Sequence, residues 1–293
     1  MKNKYFSLKN CFLLFSVFAL FLFILIAPVL ADEMVDGDHL PGQIYTMVDE
    51  EGEVIMRTAR EITVGDEYIN AANNYYRVIS VENKKAVAKK IERAATVLPQ
   101  GEGWLSRLEK KLRNALPVQQ QGEQKTKKIA IYSSHGAESY LKGDGTESKD
   151  PGGGILDVAD SLQKNLEEKG ITVIRSKEPH TPHDAGAYQR SRRTVEEALK
   201  EQPDVLIDVH RDAVPEEEYL TEVKGKERVQ VQLVVGRQNQ NRANNQEFAE
   251  GLKKKADEKY LGLIKGIFMA RGNYNQDMSP RAILIEVGSH TND

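Results

Sequence analysis

The sequence predicts an α/β protein in which helices flank a mixed β-sheet. From residue 128 onward, apolar strand-like segments alternate with stretches that repeat apolar residues at helical spacing. Polar residues cluster where those strands end, which is where ligands and catalytic groups collect in α/β proteins. The alternation is missing upstream of residue 128, where we predict a small β-rich module preceded by an N-terminal transmembrane or signal segment.

The N-terminal segment, residues 1–31, predicts export. Residues 11–31 carry no charge and consist mainly of Leu, Phe, Ile, Val and Ala, and at about 1.5 Å per residue they match the roughly 30 Å of a bilayer core. Lysines precede this segment and acidic residues follow it, which favours a cytoplasmic N-terminus. Two alternatives stay open: a single-pass cell-membrane anchor, which the length favours, and a signal peptide cleaved after Ala31.

The composition limits the chemistry of the remaining chain. Its 293 residues can form more than one domain, and a formal net charge of -3 gives no reason to expect nucleic-acid binding. Cys11 is the single cysteine and lies in the apolar segment. The remaining chain therefore has neither a disulfide nor a thiol nucleophile, and any metal ligand there must be His, Asp or Glu.

Two further parts precede the α/β region. Residues 41–92 contain short extended segments separated by turn residues, which predicts a β-rich spacer or interaction module. Residues 93–127 predict a short helix, with Leu105, Leu108 and Leu112 at helical spacing, followed by a polar linker. We therefore place the start of the main domain, 128–293, at the end of this linker.

The main domain reads as alternating strands and helices. Strands are predicted at 129–133, 171–174, 205–209, 229–235 and 282–286, and helices at 155–166, 190–200 and around 248–256. Gly170 is placed to end the first helix, and Pro203 follows the second. This succession predicts one domain with helices over a mixed sheet.

Two histidines at strand ends, His135 and His210, predict a metal site. Two imidazoles and a nearby carboxylate are how proteins hold a catalytic zinc ion, with one position left open. Glu138 is the candidate third ligand, because a turn at Gly136 lets it face the same point as His135. Two alternatives stay open: Glu138 is a structural carboxylate at a helix start, or the third ligand comes from the following loop, which contains Asp144, Glu147 and Asp150.

Three acidic residues complete the candidate site. Asp208 and Asp212 lie two residues before and after His210, where either can fix the ring tautomer. The alternative is a polar strand end that forms local salt bridges. Glu286 stands within an apolar strand, and burying an unpaired carboxylate is expensive. We predict that Glu286 is the general acid and base. The alternative is a buried salt bridge to Arg211 or Arg281.

Five motifs resemble the stage II sporulation protein P family. They span residues 131–140, 207–213, 235–241, 274–280 and 284–289, in the order in which the family has them. Members are membrane-anchored, exported N-acetylmuramoyl-L-alanine amidases with an added endopeptidase activity. The resemblance implies a zinc amidase-like fold, with His135 and His210 on Zn²⁺ and Glu286 as catalytic acid and base.

The resemblance also implies a substrate and partners. The substrate would be peptidoglycan, cleaved between N-acetylmuramic acid and L-alanine during septal wall degradation and engulfment in sporulation. A lytic transglycosylase and a second membrane protein would be partners. Loops around 236–241 and 273–280 would position glycan or peptide, and the predicted substrate-binding residues are Arg211, Asn241, Tyr274, Asn275 and Gln276.

The chain departs from the family pattern at two places. Ser133 stands where the family commonly has a second histidine, and the sequence stops at Asp293, before the family's acidic helical tail, so we expect a truncated C-terminus. Two alternative functions follow: a catalytically impaired peptidoglycan-binding scaffold, or a purely peptide-cleaving metallopeptidase.

Overall fold

The computed structural model describes residues 43–92, 127–184 and 186–292. Four α-helices are present in these ranges: α1 (Leu141–Asp144), α2 (Ile155–Glu167), α3 (Ala187–Lys200) and α4 (Arg242–Tyr260). The strands there are β1 (Tyr45–Val48), β2 (Val54–Thr58), β3 (Glu67–Asn70), β4 (Tyr75–Glu82), β5 (Lys85–Ile91), β6 (Lys128–Tyr132), β7 (Thr172–Arg175), β8 (Val205–Asp212), β9 (Leu220–Val223), β10 (Lys226–Val229), β11 (Val231–Gly236), β12 (Ile264–Ala270) and β13 (Ala282–Ser289).

Eleven of these strands form one mixed sheet. Its order is β2-β1-β5-β4-β3-β12-β11-β13-β8-β6-β7, and β9 pairs with β10 in a separate hairpin. β13, β8, β6 and β7 run parallel to their neighbours within that group, whereas β11 is antiparallel to β13. The predicted class, a mixed sheet with helices packed against it, is confirmed.

Helices cover both faces of the sheet. On one face α2 packs against Ile131 and Val209, and α4 packs against Leu233 and Ile267. On the opposite face α3 packs through Val195 against residues of β6 and β8. Successive strand residues point to opposite faces, so each central strand is buried on both sides, in keeping with its continuous apolar sequence.

The region predicted as a β-rich module, residues 41–92, continues the same sheet. β3 pairs antiparallel with β12, and Tyr68 lies opposite Phe268. Met47, Met56 and Val78 share an apolar cluster with Phe268 of the central sheet. The sequence shows the extended segments but not this pairing, because the partner strand lies nearly two hundred residues downstream.

The predicted N-terminal anchor and the predicted helix and linker at 93–127 lie outside the described residues, apart from position 127. Within the described part of the chain, no helix is long and apolar enough to span a membrane. The predicted single-pass localisation is therefore corrected: the residues that the structure describes provide no membrane-spanning helix.

Candidate metal centre

The first histidine is placed by a tight turn after β6. His135 follows the strand by three residues, and the next residue, Gly136, donates its N–H to the carbonyl of Pro179 at 3.0 Å. A Cβ at Gly136 would lie 2.6 Å from Pro179 Cα, so the turn requires glycine. The Glu138 N–H then donates to the His135 carbonyl, which brings the glutamate back beside the histidine.

Two neighbouring parallel strands place the other two chemical groups. His210 on β8 is opposite Glu286 on β13 in the register of the sheet. Residues opposite each other on adjacent strands project to the same face. Both side chains are almost completely buried. The strand pairing therefore presents an imidazole and a carboxylate side by side.

His135, Glu138 and His210 converge on one point. Each offers a ligand atom, and the three atoms lie within 4.8 Å of one another. Glu138 Oε1 is 3.3 Å from His210 Nδ1 and 3.6 Å from His135 Nδ1. All three residues are at most 1 % exposed. Two imidazole nitrogens and one carboxylate oxygen fit the donor set of catalytic zinc sites.

Side chains behind the cluster orient these groups. His210 Nε2 lies 3.0 Å from Asp208 Oδ1 and 2.8 Å from Ser134 Oγ. Ser134 Oγ in turn donates to Asp208 Oδ2 at 2.6 Å. A proton on Nε2 directed at Asp208 leaves the Nδ1 lone pair facing Glu138, which is the tautomer that a metal ligand needs. The other Glu138 oxygen accepts the backbone N–H of Arg211 at 2.9 Å.

The electrostatics favour a positive charge at the centre of the cluster. Burial by itself lowers the pKa of His210, but the charges of Asp208 and Glu138 outweigh this effect and raise the pKa to about 10. Burial likewise acts to raise the pKa of Glu138, yet the charge of His210 and hydrogen bonds from both histidines lower it well below its ordinary value. A buried carboxylate between two imidazoles is therefore well placed to bind a cation together with them.

Glu286 forms a buried salt bridge with an arginine from the upstream strands. Arg60 Nη2 lies 2.8 Å from Glu286 Oε1, and both side chains are 1 % exposed. Neither Arg211 nor Arg281, the two partners considered from the sequence, makes this contact. Arg60 had no local sequence signal, since its partner is 226 residues away.

The other candidate third ligands lie elsewhere. Asp144 Oδ2 accepts the backbone N–H groups of Tyr140 and Gly154, at 3.0 and 3.1 Å. Glu147 and Asp150 are exposed on the same loop. Within the described residues, only Glu138 joins the two histidines in a group that could hold a metal ion.

Arg211 and Asn241, two of the predicted substrate-binding residues, hydrogen bond to backbone carbonyls. Arg211 Nε donates to the Ser139 carbonyl at 3.1 Å, and the same guanidinium donates to the Glu147 carbonyl. Asn241 Nδ2 donates to the Asp277 carbonyl at 2.7 Å. Both side chains thus hold loops that flank the site, and their role in substrate binding stays a prediction.

The remaining predicted contacts, Tyr274, Asn275 and Gln276, are buried in the loop before β13. Asn275 Nδ2 donates to the Tyr188 carbonyl at 3.1 Å. The Gln276 amide makes two hydrogen bonds to the backbone of β11: Oε1 accepts the N–H of Gly236 at 2.8 Å, and Nε2 donates to the Val234 carbonyl at 2.9 Å. The Tyr274 hydroxyl donates to the Arg271 carbonyl. Asn275 and Gln276 thus fasten the loop to α3 and β11, and Tyr274 bonds within the loop. Their contact with substrate likewise stays a prediction.

Two rings around His135 were not assigned to the metal site from the sequence. The His135 ring centroid is 4.4 Å from that of His183 and 5.0 Å from that of Tyr188. Tyr188 also stacks near His210, with centroids 6.3 Å apart. His183 lies in a polar loop with interleaved prolines, a pattern that favours helix capping or substrate contact over metal ligation. Tyr188 is one buried aromatic residue on a helix and carries no distinguishing pattern.

The fold and the site define a mixed α/β protein with a buried two-histidine, one-carboxylate candidate metal centre beside an arginine-paired glutamate. The chain matches the family model described as Stage II sporulation protein P over residues 46–293. It therefore belongs to the stage II sporulation protein P family, as the sequence motifs predict.

The chain is also similar to one curated protein and to one solved structure. The chain is 33% identical over 196 residues to Stage II sporulation protein P of Bacillus subtilis (strain 168), an alignment that covers 60% of this chain and 48% of the relative. The match thus spans about half of the relative's length. Among solved structures, the apo N-acetylmuramyl-L-alanine amidase Ami1 of Mycobacterium abscessus has a TM-score of 0.34 and 12% identity, covering 57% of this chain and 85% of that chain.

Proposed function

We propose that the chain is a zinc-dependent peptidoglycan hydrolase that cleaves the amide between N-acetylmuramic acid and L-alanine of the stem peptide. The observation that carries the proposal is the convergence of His135, Glu138 and His210 beside Glu286. Membership of a sporulation protein family supports the cell wall as substrate.

The side chains have distinct roles in this proposal. His135, Glu138 and His210 would hold zinc, which when bound supplies polarisation of the scissile carbonyl and activation of water at neutral pH. Glu286 takes a proton from the attacking water and delivers it to the leaving amine. All four side chains are buried, and charge interactions are stronger where bulk water is excluded.

The test is a product analysis with the full chain, purified and supplied with zinc. Purified muropeptides are incubated with the wild type and with His210→Ala, Glu286→Gln and Glu222→Gln variants, and products are identified by mass spectrometry. Glu222 is the matched control because it is an exposed carboxylate on the separate hairpin. We expect free stem peptide from the wild type and the control.

The variants separate the two roles. Glu286→Gln should bind zinc normally and lose at least about 100-fold in rate, which is the usual contribution of a general base. His210→Ala should lose both zinc and activity. Cleavage within the stem peptide, without release from muramic acid, would replace the amidase by an endopeptidase. A folded, zinc-loaded wild type that cleaves neither bond contradicts the proposal.

A further inference from the structure

The buried pair of Arg60 and Glu286 joins the upstream strands to the candidate active site. Arg60 lies two residues after the end of β2, and its Nη2 atom is 2.8 Å from Glu286 Oε1. Its guanidinium carbon also lies 5.0 Å from the centroid of the Tyr274 ring. Removing two charges from water is costly unless each has a well-placed partner. The pair is therefore a specific contact, and breaking it removes the charged partner of a buried group.

The strand that carries His210 also fixes the segment that carries Arg60. Asp212 Oδ1, at the end of β8, accepts the backbone N–H of Ala59 at 2.9 Å. Asp212 Oδ2 accepts the hydroxyl of Tyr219 at 3.0 Å, which holds the carboxylate in place. The backbone one residue before Arg60 is thus tied to the carboxyl end of β8.

The far end of the segment that carries Arg60, at Asp66, is tied to the residue that follows β11. Arg237, the residue after β11, binds Asp66 Oδ1 through Nε at 2.9 Å. Asp66 Oδ2 accepts the backbone N–H of Thr63 at 2.7 Å and closes the turn. In the sheet β13 lies between β11 and β8. Asp212 lies opposite Ser289 near the end of β13, whereas β11 runs antiparallel to β13 and ends toward its start. The segment 59–66 is therefore held at two points, by the strands on either side of the one that presents Glu286.

We propose that Arg60 is a positioning residue for the hydrolysis: its guanidinium fixes the orientation of the Glu286 carboxylate, so that the upstream strands complete the active site. This inference rests on the proposed function, in which Glu286 transfers the proton. A planar guanidinium constrains a carboxylate more strongly than a lysine ammonium does. Small misplacements of a reacting group cost up to about 100-fold in rate.

A double-mutant cycle on the rate tests whether Arg60 acts through Glu286. Arg60→Met should lower kcat about 100-fold, the cost of a misplaced group, with KM and zinc content close to wild type. Arg60→Lys should recover part of the loss. Adding Arg60→Met to Glu286→Gln should cause no further loss, because there is no longer a carboxylate to orient.

The matched control is Arg57→Met. Arg57 lies on β2, is 41% exposed and pairs with Glu218, so it tests removal of a neighbouring arginine that is not at the site. We expect its kcat to stay within about threefold of wild type, as surface pairs contribute little. A full additional loss when Arg60→Met is combined with Glu286→Gln, or an unchanged kcat in Arg60→Met alone, overturns the positioning role.

A second measurement needs no activity. Urea unfolding midpoints are compared for the same variants after removal of zinc with a chelator. Arg60→Met should lower the midpoint more in the wild-type background than in the Glu286→Gln background, because only the former has the ion pair. Equal shifts overturn the inference whatever the activity. An inactive wild type with unequal shifts overturns the proposed function while supporting the coupling of Arg60 to Glu286.

Discussion

Zinc binding should release about one proton from His210. The pKa of His210 is raised to about 10 by Asp208 and Glu138, compared with an ordinary value of 6.5. At about pH 7.5 a group with that raised pKa is more than about 99% protonated, whereas an ordinary imidazole is only about 10% protonated. A metal ligand must be deprotonated before it binds. The proton is therefore lost when zinc enters.

The magnitude follows from the same linkage. Below about pH 10 each unit rise in pH should strengthen the apparent zinc affinity of His210 about tenfold, equivalent to about 1.4 kcal/mol per unit. Asp208→Asn removes one of the two charges that raise the pKa. The variant should release fewer protons and should show a shallower pH dependence.

Isothermal titration calorimetry measures this directly. The chelator-treated full chain is titrated with zinc in buffers of different ionisation enthalpy, and the slope of the observed enthalpy gives the number of protons released. The control is Glu222→Gln, which removes an exposed carboxylate. A wild-type count near 0.1, or a higher count for Asp208→Asn than for the wild type, refutes the electrostatic reasoning.

Three further predictions concern the framework of the site. Gly136→Ala should lower the free energy of unfolding by about 1–3 kcal/mol, because the new methyl group overlaps a proline backbone. The control Gly143→Ala, whose methyl group meets no atom within 4 Å, should not lower it. Equal urea unfolding midpoints for the two variants would contradict this prediction. Ser134→Ala should weaken zinc binding about 10-fold to 100-fold, because it loosens Asp208 and His210; unchanged affinity in a competition assay with a chelating dye would count against this role. In the metal-free protein the raised pKa of His210 contributes stability that is fully present below about pH 6.5 and lost as the pH rises through about 10, so a urea midpoint that does not fall between about pH 7 and 10 contradicts it.

The α/β class and the convergence of the three candidate ligands follow from local patterns. Apolar runs that alternate with amphipathic helices predict adjacent parallel strands, and adjacent parallel strands bring their carboxyl ends together. His135 and His210 each lie at such an end, so their proximity could be predicted without knowledge of the sheet order. Glu138 needed one further step, the turn at Gly136.

The central strand β12 was not predicted, although all seven of its residues are buried. Lys265 and Gly266 interrupt its apolar run, and a lysine in the interior is unusual. In the structure the Lys265 ammonium lies 3.9 Å from the centroid of the Tyr219 ring and donates to the Arg57 carbonyl. Its burial depends on partners that are distant in sequence, so no local pattern reveals the strand.

The polar loop before β13 shows a different limit. Its amide side chains are of the types that bind sugars and peptides, and the sequence therefore indicates substrate contact. In the structure the amides of Asn275 and Gln276 bind protein backbone instead. An amide that holds a loop and an amide that holds a ligand have the same sequence signature, and only the fold shows which backbone groups need a partner.

A single strand organises both halves of the candidate site. Asp208, His210 and Asp212 alternate along β8, so their side chains project to one face. Asp208 orients the imidazole from behind, and Asp212 holds the backbone that presents Arg60 to Glu286. Asp212 therefore repeats the two-residue spacing that separates Asp208 from His210. Through it, the strand that carries a metal ligand is connected to the segment that contacts the proton-transferring Glu286.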